Sequence, residues 1–263
     1  MLKDLHDDDS PVGRILTRRE AVILLGGAGA AGFLTLAGCS SGKPVTVANA
    51  GTTAEAGTAA TSASASCVAK PEMTEGPYFV DEKLNRSDIR TDSHTGAAKP
   101  GSPFVLAFNV SRINAGTCTA LAGALVDVWH CDALGVYSDA NDPTFNTKGQ
   151  TWLRGSQVTG SSGVARFTTI LPGWYPGRAS HIHFKIRGNK SSGSAYDFTS
   201  QLFFTEPFLA SAYAQAPYNT KSDSGRRLND ADGIYRQGGS ELLVTPSGSS
   251  SGYAATLNIG LSV

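Results

Sequence analysis

The feature that most restricts the fold is a succession of short strand-forming runs, each bounded by turn-forming residues. Gly-, Ser-, Asn- and Asp-rich clusters such as "TGSSG" (159–163) and "SDANDP" (138–143) separate these runs. No long window shows a helical period, although "TEPFLASAYAQ" (205–215) would accommodate a short helix. The pattern therefore predicts an all-β chain, folded as an antiparallel sandwich or a barrel-like structure. The predicted strands are residues 103–113, 124–131, 164–171, 181–186, 200–206, 241–245 and 254–263.

The N-terminal 39 residues are predicted to be an export signal. Arg18 and Arg19 precede a Gly/Ala-rich apolar run, residues 21–38, and "LAGC" ends at Cys39. Paired arginines before a weakly hydrophobic segment indicate twin-arginine export. The small residues before Cys39 resemble a bacterial lipoprotein cleavage site, where this cysteine would be lipidated. An uncleaved membrane anchor is the alternative, so membrane tethering outside the cytoplasm is expected on either interpretation.

Residues 40–66 are predicted to be a disordered tether, because this Ala/Ser/Thr/Gly-rich stretch has almost no large apolar side chain. The folded domain is then expected to span residues 67–263. The whole chain has 22 basic and 22 acidic side chains, which gives no reason to expect a nucleic-acid partner. In an exported protein we expect a disulfide, and Cys67 with Cys118 is the favoured pair because Cys131 lies inside a motif.

Two histidines in "HIHFKI" (181–186) are spaced for one face of a strand. Residues i and i+2 of a strand point to the same side, so His181 and His183 would lie side by side and Ile182 would face the opposite, apolar side. This spacing suits a metal, but it also suits a half-buried strand with no ligand.

Tyr137 and Tyr175 extend the candidate site. Each lies in a Gly- or Pro-rich turn, Tyr137 after the strand in "DVWHC" and Tyr175 in "PGWYPGR". A free tyrosine has a pKa near ~10, so a phenolate needs a strongly polarising cation, and ferric iron fits best. Zinc more often draws histidine, cysteine or carboxylate, and the acid nearest downstream of the histidine pair is Asp197.

Four blocks in order resemble the intradiol ring-cleaving dioxygenases, the family of protocatechuate 3,4-dioxygenase and catechol 1,2-dioxygenase. The resemblance covers most of the chain from about Cys67 to Phe204. It implies a β-sandwich with short helices in its loops, holding a non-haem Fe(III). It also implies cleavage of a catechol-type ring by O2, between the two hydroxyl-bearing carbons, to a cis,cis-muconate-type diacid. The blocks are "TEGPYF" (74–79), "DVWHCDALGVYS" (127–138), "LRGSQVTGSSGVARFTTILPGWYPGR" (153–178) and "HIHFKI" (181–186).

The resemblance assigns roles residue by residue. Tyr137 and His181 would be equatorial iron ligands, and Tyr175 and His183 axial ligands. Tyr175 would also accept a proton from the substrate. Arg178 matches the arginine that faces the aromatic ring, and Gln201 matches a glutamine near that arginine. The substrate-pocket segment corresponds to Gly76, Pro77 and Tyr78.

Two departures limit the resemblance. The segment "YPGR" (175–178) is short, so substrate size is not inherited, and the long N-terminal helical region of catechol 1,2-dioxygenases is lacking. The chain is thus more similar to the protocatechuate type or to a secreted single-domain relative. His130 and Asp132 are interpreted as structural, and His6 and His94 as solvent-exposed. The alternatives are a lipid-tethered β-sandwich that binds aromatics or sugars without turnover, and a zinc hydrolase that uses the histidine pair.

Overall fold

The computed structural model describes residues 69–190, 192–222 and 225–263. The predicted export signal with Cys39, the predicted tether, His6 and Cys67 lie outside these residues and stay predictions. In the described part, no helix is long and apolar enough to cross a membrane. Cys118 is disulfide-bonded and Cys131 is a buried free thiol, which agrees with the predicted use of Cys118 and exclusion of Cys131.

Strands dominate the described residues, as the sequence predicts. Short 3₁₀ helices follow the one α-helix found there, α1 (Glu206–Tyr213), at Tyr218–Thr220, Asn229–Ala231, Tyr235–Gln237 and Gly239–Leu242. The strands are β1 (Pro103–Asn114), β2 (Thr117–Ala120), β3 (Leu125–Trp129), β4 (Asn141–Asp142), β5 (Phe145–Asn146), β6 (Arg154–Val158), β7 (Val164–Ile170), β8 (His181–Asn189), β9 (Ala195–Phe204), β10 (Leu243–Val244), β11 (Ser247–Ser249) and β12 (Gly252–Leu261).

Two five-stranded sheets form the sandwich. The first has the order β11-β12-β1-β2. β7 pairs with residues 103–109 of β1, on the same edge where β2 pairs with residues 111–114. The second has the order β10-β9-β8-β3-β6. Phe108 of the first sheet lies 5.2 Å, between ring centroids, from Phe184 of the second. The apolar core therefore fills the space between the sheets, as alternation along β1 and β8 requires.

The pairing is not antiparallel throughout. β1 pairs with β12 in parallel, and β10 pairs with β9 in parallel. Sequence alternation predicts which face of a strand is buried, but it carries no information on partner or direction, which explains the difference. Of the predicted strand 241–245, residues 241–242 end a 3₁₀ helix, Gly239–Leu242, and residues 243–244 form β10.

Strands without apolar alternation were missed. β6 reads "RGSQV" and is polar although its first three residues are buried, and β2 reads "TCTA" and lies mostly exposed. The predicted short helix is confirmed as α1, within residues 205–215. Its proline lies in the first turn, where a missing N–H leaves no helical hydrogen bond unmade.

Candidate metal centre

Strand β8 carries the histidine pair on its outer face. Ile182 and Phe184 point into the core between the sheets. His181 and His183 point the other way, yet they are 2% and 1% exposed, because loops cover this face of the second sheet. The alternation in "HIHFKI" thus places both imidazoles in one enclosed pocket.

A row of side chains crosses the sheet at the level of His183. Trp129 of β3 is directly opposite His183, and Gln201 of β9 is opposite it on the other side. Arg154 of β6 is opposite Trp129 and continues the row. The Trp129 indole stacks on the His183 ring with 5.0 Å between centroids and 8° between planes. Cross-strand neighbours of this kind restrict the ring orientation of His183.

Two loops bring the tyrosines over the histidines, one between β3 and β4 and one between β7 and β8. They touch at glycines. A Cβ on Gly173 would lie 2.2 Å from the carbonyl oxygen of Ala133, and a Cβ on Gly135, at φ +89°, would lie 2.2 Å from that of Trp174. The Lys221 ammonium donates hydrogen bonds to backbone carbonyls of both loops. Only glycine permits this approach, so the contact between the two loops requires glycine at both positions.

The four predicted donors converge. The Nε2 atoms of His181 and His183 are 3.1 Å apart, and the Tyr137 hydroxyl lies 3.5 Å from Nε2 of His181. Tyr175 completes the group: its ring centroid is 5.6 Å from that of His181 and 5.8 Å from that of Tyr137. Atoms that bind one ion at about 2 Å are themselves separated by roughly 3 Å, so the spacing fits a shared metal.

The protonation states of the histidines and of Tyr137 also fit a shared metal. Nδ1 of His181 lies 2.6 Å from the carbonyl oxygen of Ala179, which can only accept, so Nδ1 carries the hydrogen and Nε2 has its lone pair directed at the other donors. Burial, together with the positive charge of Arg178, lowers the pKa of His181. Burial, with the charge of neighbouring groups, likewise lowers the pKa of His183 and raises that of Tyr137. Without a cation these groups are neutral, and a bound cation would favour the phenolate.

The donor set is not that of a typical zinc or two-histidine-one-carboxylate site. Within the described residues no three His, Cys, Asp or Glu side chains form a metal-binding group. A metal held by His181 and His183 would therefore take its remaining protein ligands from the phenols. Phenolate oxygen with imidazole suits a hard trivalent ion such as Fe(III).

Arg178 lies beside this donor set and is 4% exposed. Its Nε donates to Oδ2 of Asp232 at 2.9 Å, its Nη2 to Oε1 of Gln201 at 2.6 Å, and its Nη1 to the Tyr175 hydroxyl at 3.5 Å. Gln201 in turn donates through Nε2 to the carbonyl of Thr74 at 2.9 Å. The structure thus brings Arg178 and Gln201 together, and joins them to Tyr175.

Of the predicted pocket segment, Tyr78 reaches the donors. Its ring stacks on Tyr137 at 4.4 Å and meets Tyr175 edge-on at 6.2 Å. Gly76, at φ +71°, and the exposed Pro77 precede it in a turn and direct the chain to this position. Tyr78 and Tyr175 are both partly exposed, so this side of the site opens to solvent.

His94 and His130, the other histidines that the structure describes, are outside the donor set. His130 is fully buried, with Nδ1 2.8 Å from the carbonyl of Cys131 and Nε2 2.7 Å from the hydroxyl of Thr169. Asp132 accepts hydrogen bonds from backbone N–H groups of its own loop and forms an ion pair with Lys99. His94 is 68% exposed, as predicted.

Sequence reasoning missed Trp129, Arg154 and Asp232. The first two lie within the blocks that carry the family resemblance, so their neighbourhood was a usable signal. Arg154 is 3% exposed and donates to the carbonyls of Ser138 and Tyr78. It therefore joins the loop that carries Tyr137 to the segment that carries Tyr78. Asp232 lies beyond the recognised blocks, with no motif around it.

A family model described as "Dioxygenase" matches residues 74–228. Catechol 1,2-dioxygenase 1 of Acinetobacter lwoffii is 29% identical over 154 residues, which cover 50% of this chain and 45% of that protein. A chlorocatechol 1,2-dioxygenase of Pseudomonas putida is 30% identical over 139 residues, covering 43% of this chain and 46% of that protein. The chain therefore spans about half the length of these curated relatives.

A solved structure matches more completely. An intradiol ring-cleavage dioxygenase from Tetranychus urticae superimposes with a TM-score of 0.63 at 30% identity. The superposition covers 74% of this chain and 94% of that chain.

Proposed function

Because this chain belongs to the intradiol ring-cleavage dioxygenase family, we propose that it uses non-haem Fe(III) and O2 to cleave a catechol-type ring. The cleaved bond joins the two hydroxyl-bearing carbons, and the product is a cis,cis-muconate-type diacid. One observation carries the proposal: two phenols and two imidazoles converge at one site. The donor atoms of His181, His183 and Tyr137 are 3.1 Å and 3.5 Å apart, and the Tyr175 ring centroid lies 5.6 Å from that of His181.

Tyr137, Tyr175, His181 and His183 would hold the iron. When bound, the ferric ion would act as a Lewis acid and template for both catechol oxygens and would make the ring reactive toward O2. The protein then has three tasks around it: to take protons from the substrate, to stabilise negative charge on the ring, and to exclude water.

Tyr175 is the proposed acceptor for one substrate proton. It is the partly exposed member of the four donors, so an incoming hydroxyl can approach its phenol oxygen. The guanidinium of Arg178 lies 3.5 Å from that oxygen. This contact positions the phenol oxygen for the transfer. A positioned general base of this kind typically contributes a hundredfold or more to a rate, on the order of 10² to 10⁴.

Arg178 is the proposed electrostatic partner of the ring. Its buried guanidinium is held by Asp232 and Gln201, so it does not need to reorganise when negative charge develops on the substrate. One preorganised donor contributes about 3 kcal/mol to such a step. Gln201 would act by holding Arg178 and is proposed as a positioning residue.

Water exclusion follows from the burial of the inner donors. Tyr137, His181 and His183 are each at most 2% exposed, whereas Tyr78 and Tyr175 border solvent. A catechol bound beside those two rings would cover the opening with its own apolar surface. Water would then have little access to the reacting carbons.

The test combines colour with turnover. Fe(III) bound by tyrosinate absorbs visible light, so the purified protein should be reddish and should consume oxygen with a catechol. Tyr175→Phe and His181→Ala should shift or remove the colour and lower oxygen uptake by about a hundredfold or more. Tyr253→Phe is the matched control, because this buried tyrosine lies on β12 in the other sheet and should leave both readouts unchanged.

Each outcome has a defined meaning. A colourless protein that holds zinc would contradict the iron assignment. A coloured protein that binds catechols without oxygen uptake would favour a binding module. Equal behaviour of Tyr175→Phe and Tyr253→Phe would contradict the ligand set. A panel of catechols with different ring substituents, measured by oxygen electrode, would then identify the substrate.

A further inference from the structure

Asp232 is a fully buried carboxylate in contact with the site, and it lies beyond the matched family region that ends at residue 228. It follows the 3₁₀ helix Asn229–Ala231. Four N–H groups donate to it. Oδ2 accepts from Nε of Arg178 at 2.9 Å and from the backbone N–H of Ala179 at 2.6 Å. Oδ1 accepts from the backbone N–H groups of Ile234 at 2.7 Å and Tyr235 at 3.0 Å.

These contacts connect Asp232 to two residues of the site. The first is Arg178, whose Nε is held by the carboxylate while Nη1 and Nη2 reach Tyr175 and Gln201. The second is His181: Asp232 binds the N–H of Ala179, and the carbonyl of Ala179 accepts the Nδ1 hydrogen of His181. Displacing this one carboxylate would therefore move both the guanidinium and the backbone that sets the His181 tautomer.

Charge gives Asp232 a second role. The guanidinium of Arg178 is buried beside a group of metal donors, where an unpaired positive charge would be costly and would repel a cation. A carboxylate 2.9 Å away pairs with that charge and lowers both the cost of its burial and the repulsion of a cation. Burial alone would raise the pKa of Asp232, but Arg178 and the backbone N–H groups outweigh burial and lower it, so the group is ionised.

We propose that Asp232 is a positioning residue for ring cleavage. It fixes Arg178 and the Ala179 backbone, and it neutralises the guanidinium so that an arginine can lie next to a metal ion. The inference rests on the proposed function for its effect on turnover, but its effect on folding and on metal retention does not require a catechol.

A purely structural role is the competing explanation, since Asp232 also caps the turn at Ile234 and Tyr235. The two roles differ in their coupling to Arg178. A structural carboxylate would act equally with or without the guanidinium, whereas a positioning carboxylate would lose most of its effect once the guanidinium is absent.

The experiment is a double-mutant cycle of Asp232→Asn and Arg178→Gln in the full chain loaded with iron. Asp230→Asn is the matched control, because Asp230 is exposed and lies on the 3₁₀ helix that precedes Asp232. Four quantities are measured for each variant: kcat and KM for a catechol, the rate at which a chelator removes iron, and the midpoint of thermal unfolding.

We expect Asp232→Asn to lower kcat by about tenfold to a hundredfold with a smaller change in KM, and to speed iron loss. In the Arg178→Gln background the same change should cost at most about twofold in kcat. The unfolding midpoint of the double variant should be higher than that of Arg178→Gln alone, because no unpaired buried charge remains. Asp230→Asn should match the parent protein.

Equal effects of Asp232→Asn in both backgrounds would overturn the inference, and so would behaviour identical to Asp230→Asn. If Asp232→Asn does not fold by itself, the double variant decides: it should fold, and its failure to fold would contradict the charge argument. If no variant turns over a catechol but the unfolding midpoints and iron loss are coupled as described, the inference stands and the proposed function fails.

Discussion

Tyr78 shows how a single side chain can serve the site from outside the donor set. Its ring packs on Tyr137 at 4.4 Å, and its hydroxyl donates to Oδ2 of Asp142 at 2.7 Å. Asp142 belongs to the β4–β5 hairpin, so the segment that carries Tyr78 and the hairpin are joined at the edge of the pocket. The two parts of the side chain have separable roles: the ring forms the wall, and the hydroxyl fixes its position.

These roles can be separated by mutation. Tyr78→Phe keeps the ring and loses one hydrogen bond, so we expect a loss of about 1 kcal/mol in the free energy of unfolding, with the iron colour unchanged. Tyr78→Ala removes the wall, and we expect the KM for catechols to rise by about tenfold because the stacked ring area is lost. Urea unfolding, visible spectra and oxygen uptake measure the three effects. A larger rise in KM for Tyr78→Phe than for Tyr78→Ala would contradict this division.

At the scale of elements, the site depends on the contact between two loops over one strand. β8 supplies the histidines at a fixed spacing, and its outward face is set by the apolar core on the other side. The tyrosines come from loops, whose position is set by close backbone approach at Gly135 and Gly173 and by the hydrogen bond from the Gly173 N–H to the carbonyl of Asp132, 3.1 Å. The loops are therefore held by shape and backbone hydrogen bonding.

Gly173→Ala tests this contact. The new methyl group would lie 2.2 Å from the Ala133 carbonyl oxygen, and backbone atoms cannot move aside cheaply. We expect a loss of about 1–3 kcal/mol in the free energy of unfolding and weaker iron binding, because Tyr137 and Tyr175 move apart. Iron content and urea unfolding measure both. Gly160→Ala is the control, since a Cβ there would have no neighbour within 4 Å; equal effects of the two variants would contradict the prediction.

At the scale of the whole molecule, the segment before β1 ties the chain together across the sandwich. Asp92 is 5% exposed and accepts the backbone N–H groups of His94, Thr95 and Thr151. Thr151 lies between β5 and β6, after the β4–β5 hairpin that follows Tyr137. This carboxylate therefore joins the segment before β1 to the part of the chain that follows a proposed metal ligand. Nearby, the backbone N–H of Leu153 donates to the carbonyl of Ile89 at 2.6 Å.

Asp92 gives stability a defined pH dependence. Burial raises its pKa, but hydrogen bonds from Thr151, Thr95 and His94 outweigh burial and lower the pKa from 3.8 to about 2. A carboxyl group whose pKa is lower in the folded state stabilises the fold at any pH above its ordinary pKa. This contribution is lost as the pH falls from about 4 to about 2. We expect Asp92→Asn to cost about 2 kcal/mol at pH 7, and the difference from the parent protein to vanish near pH 2.

Urea unfolding of Asp92→Asn and of the parent protein at several pH values measures this difference. Asp230→Asn serves as the control, because Asp230 is exposed. A cost that is the same at pH 7 and pH 2.5 would show that the charge of Asp92 is not what stabilises the fold.

Features that depend on local order along the chain could be predicted from the amino-acid sequence. Short strand-forming runs bounded by turn residues predicted β1 and β8, and the spacing of His181 and His183 placed both imidazoles on one face, because strand geometry follows from neighbouring residues. The four ordered blocks indicated the family for the same reason: their order is readable without knowing what lies across the fold.

Tertiary structure alone decided what depends on partners remote in the sequence. It set the parallel pairing of β1 with β12, and it buried the polar strand β6, because strand direction and partner have no local signature. It also brought Asp232 to Arg178, 54 residues away, although nothing around Asp232 marks it. A buried ion pair exists only when two segments pack and exclude water, so its members become visible once the core is assembled.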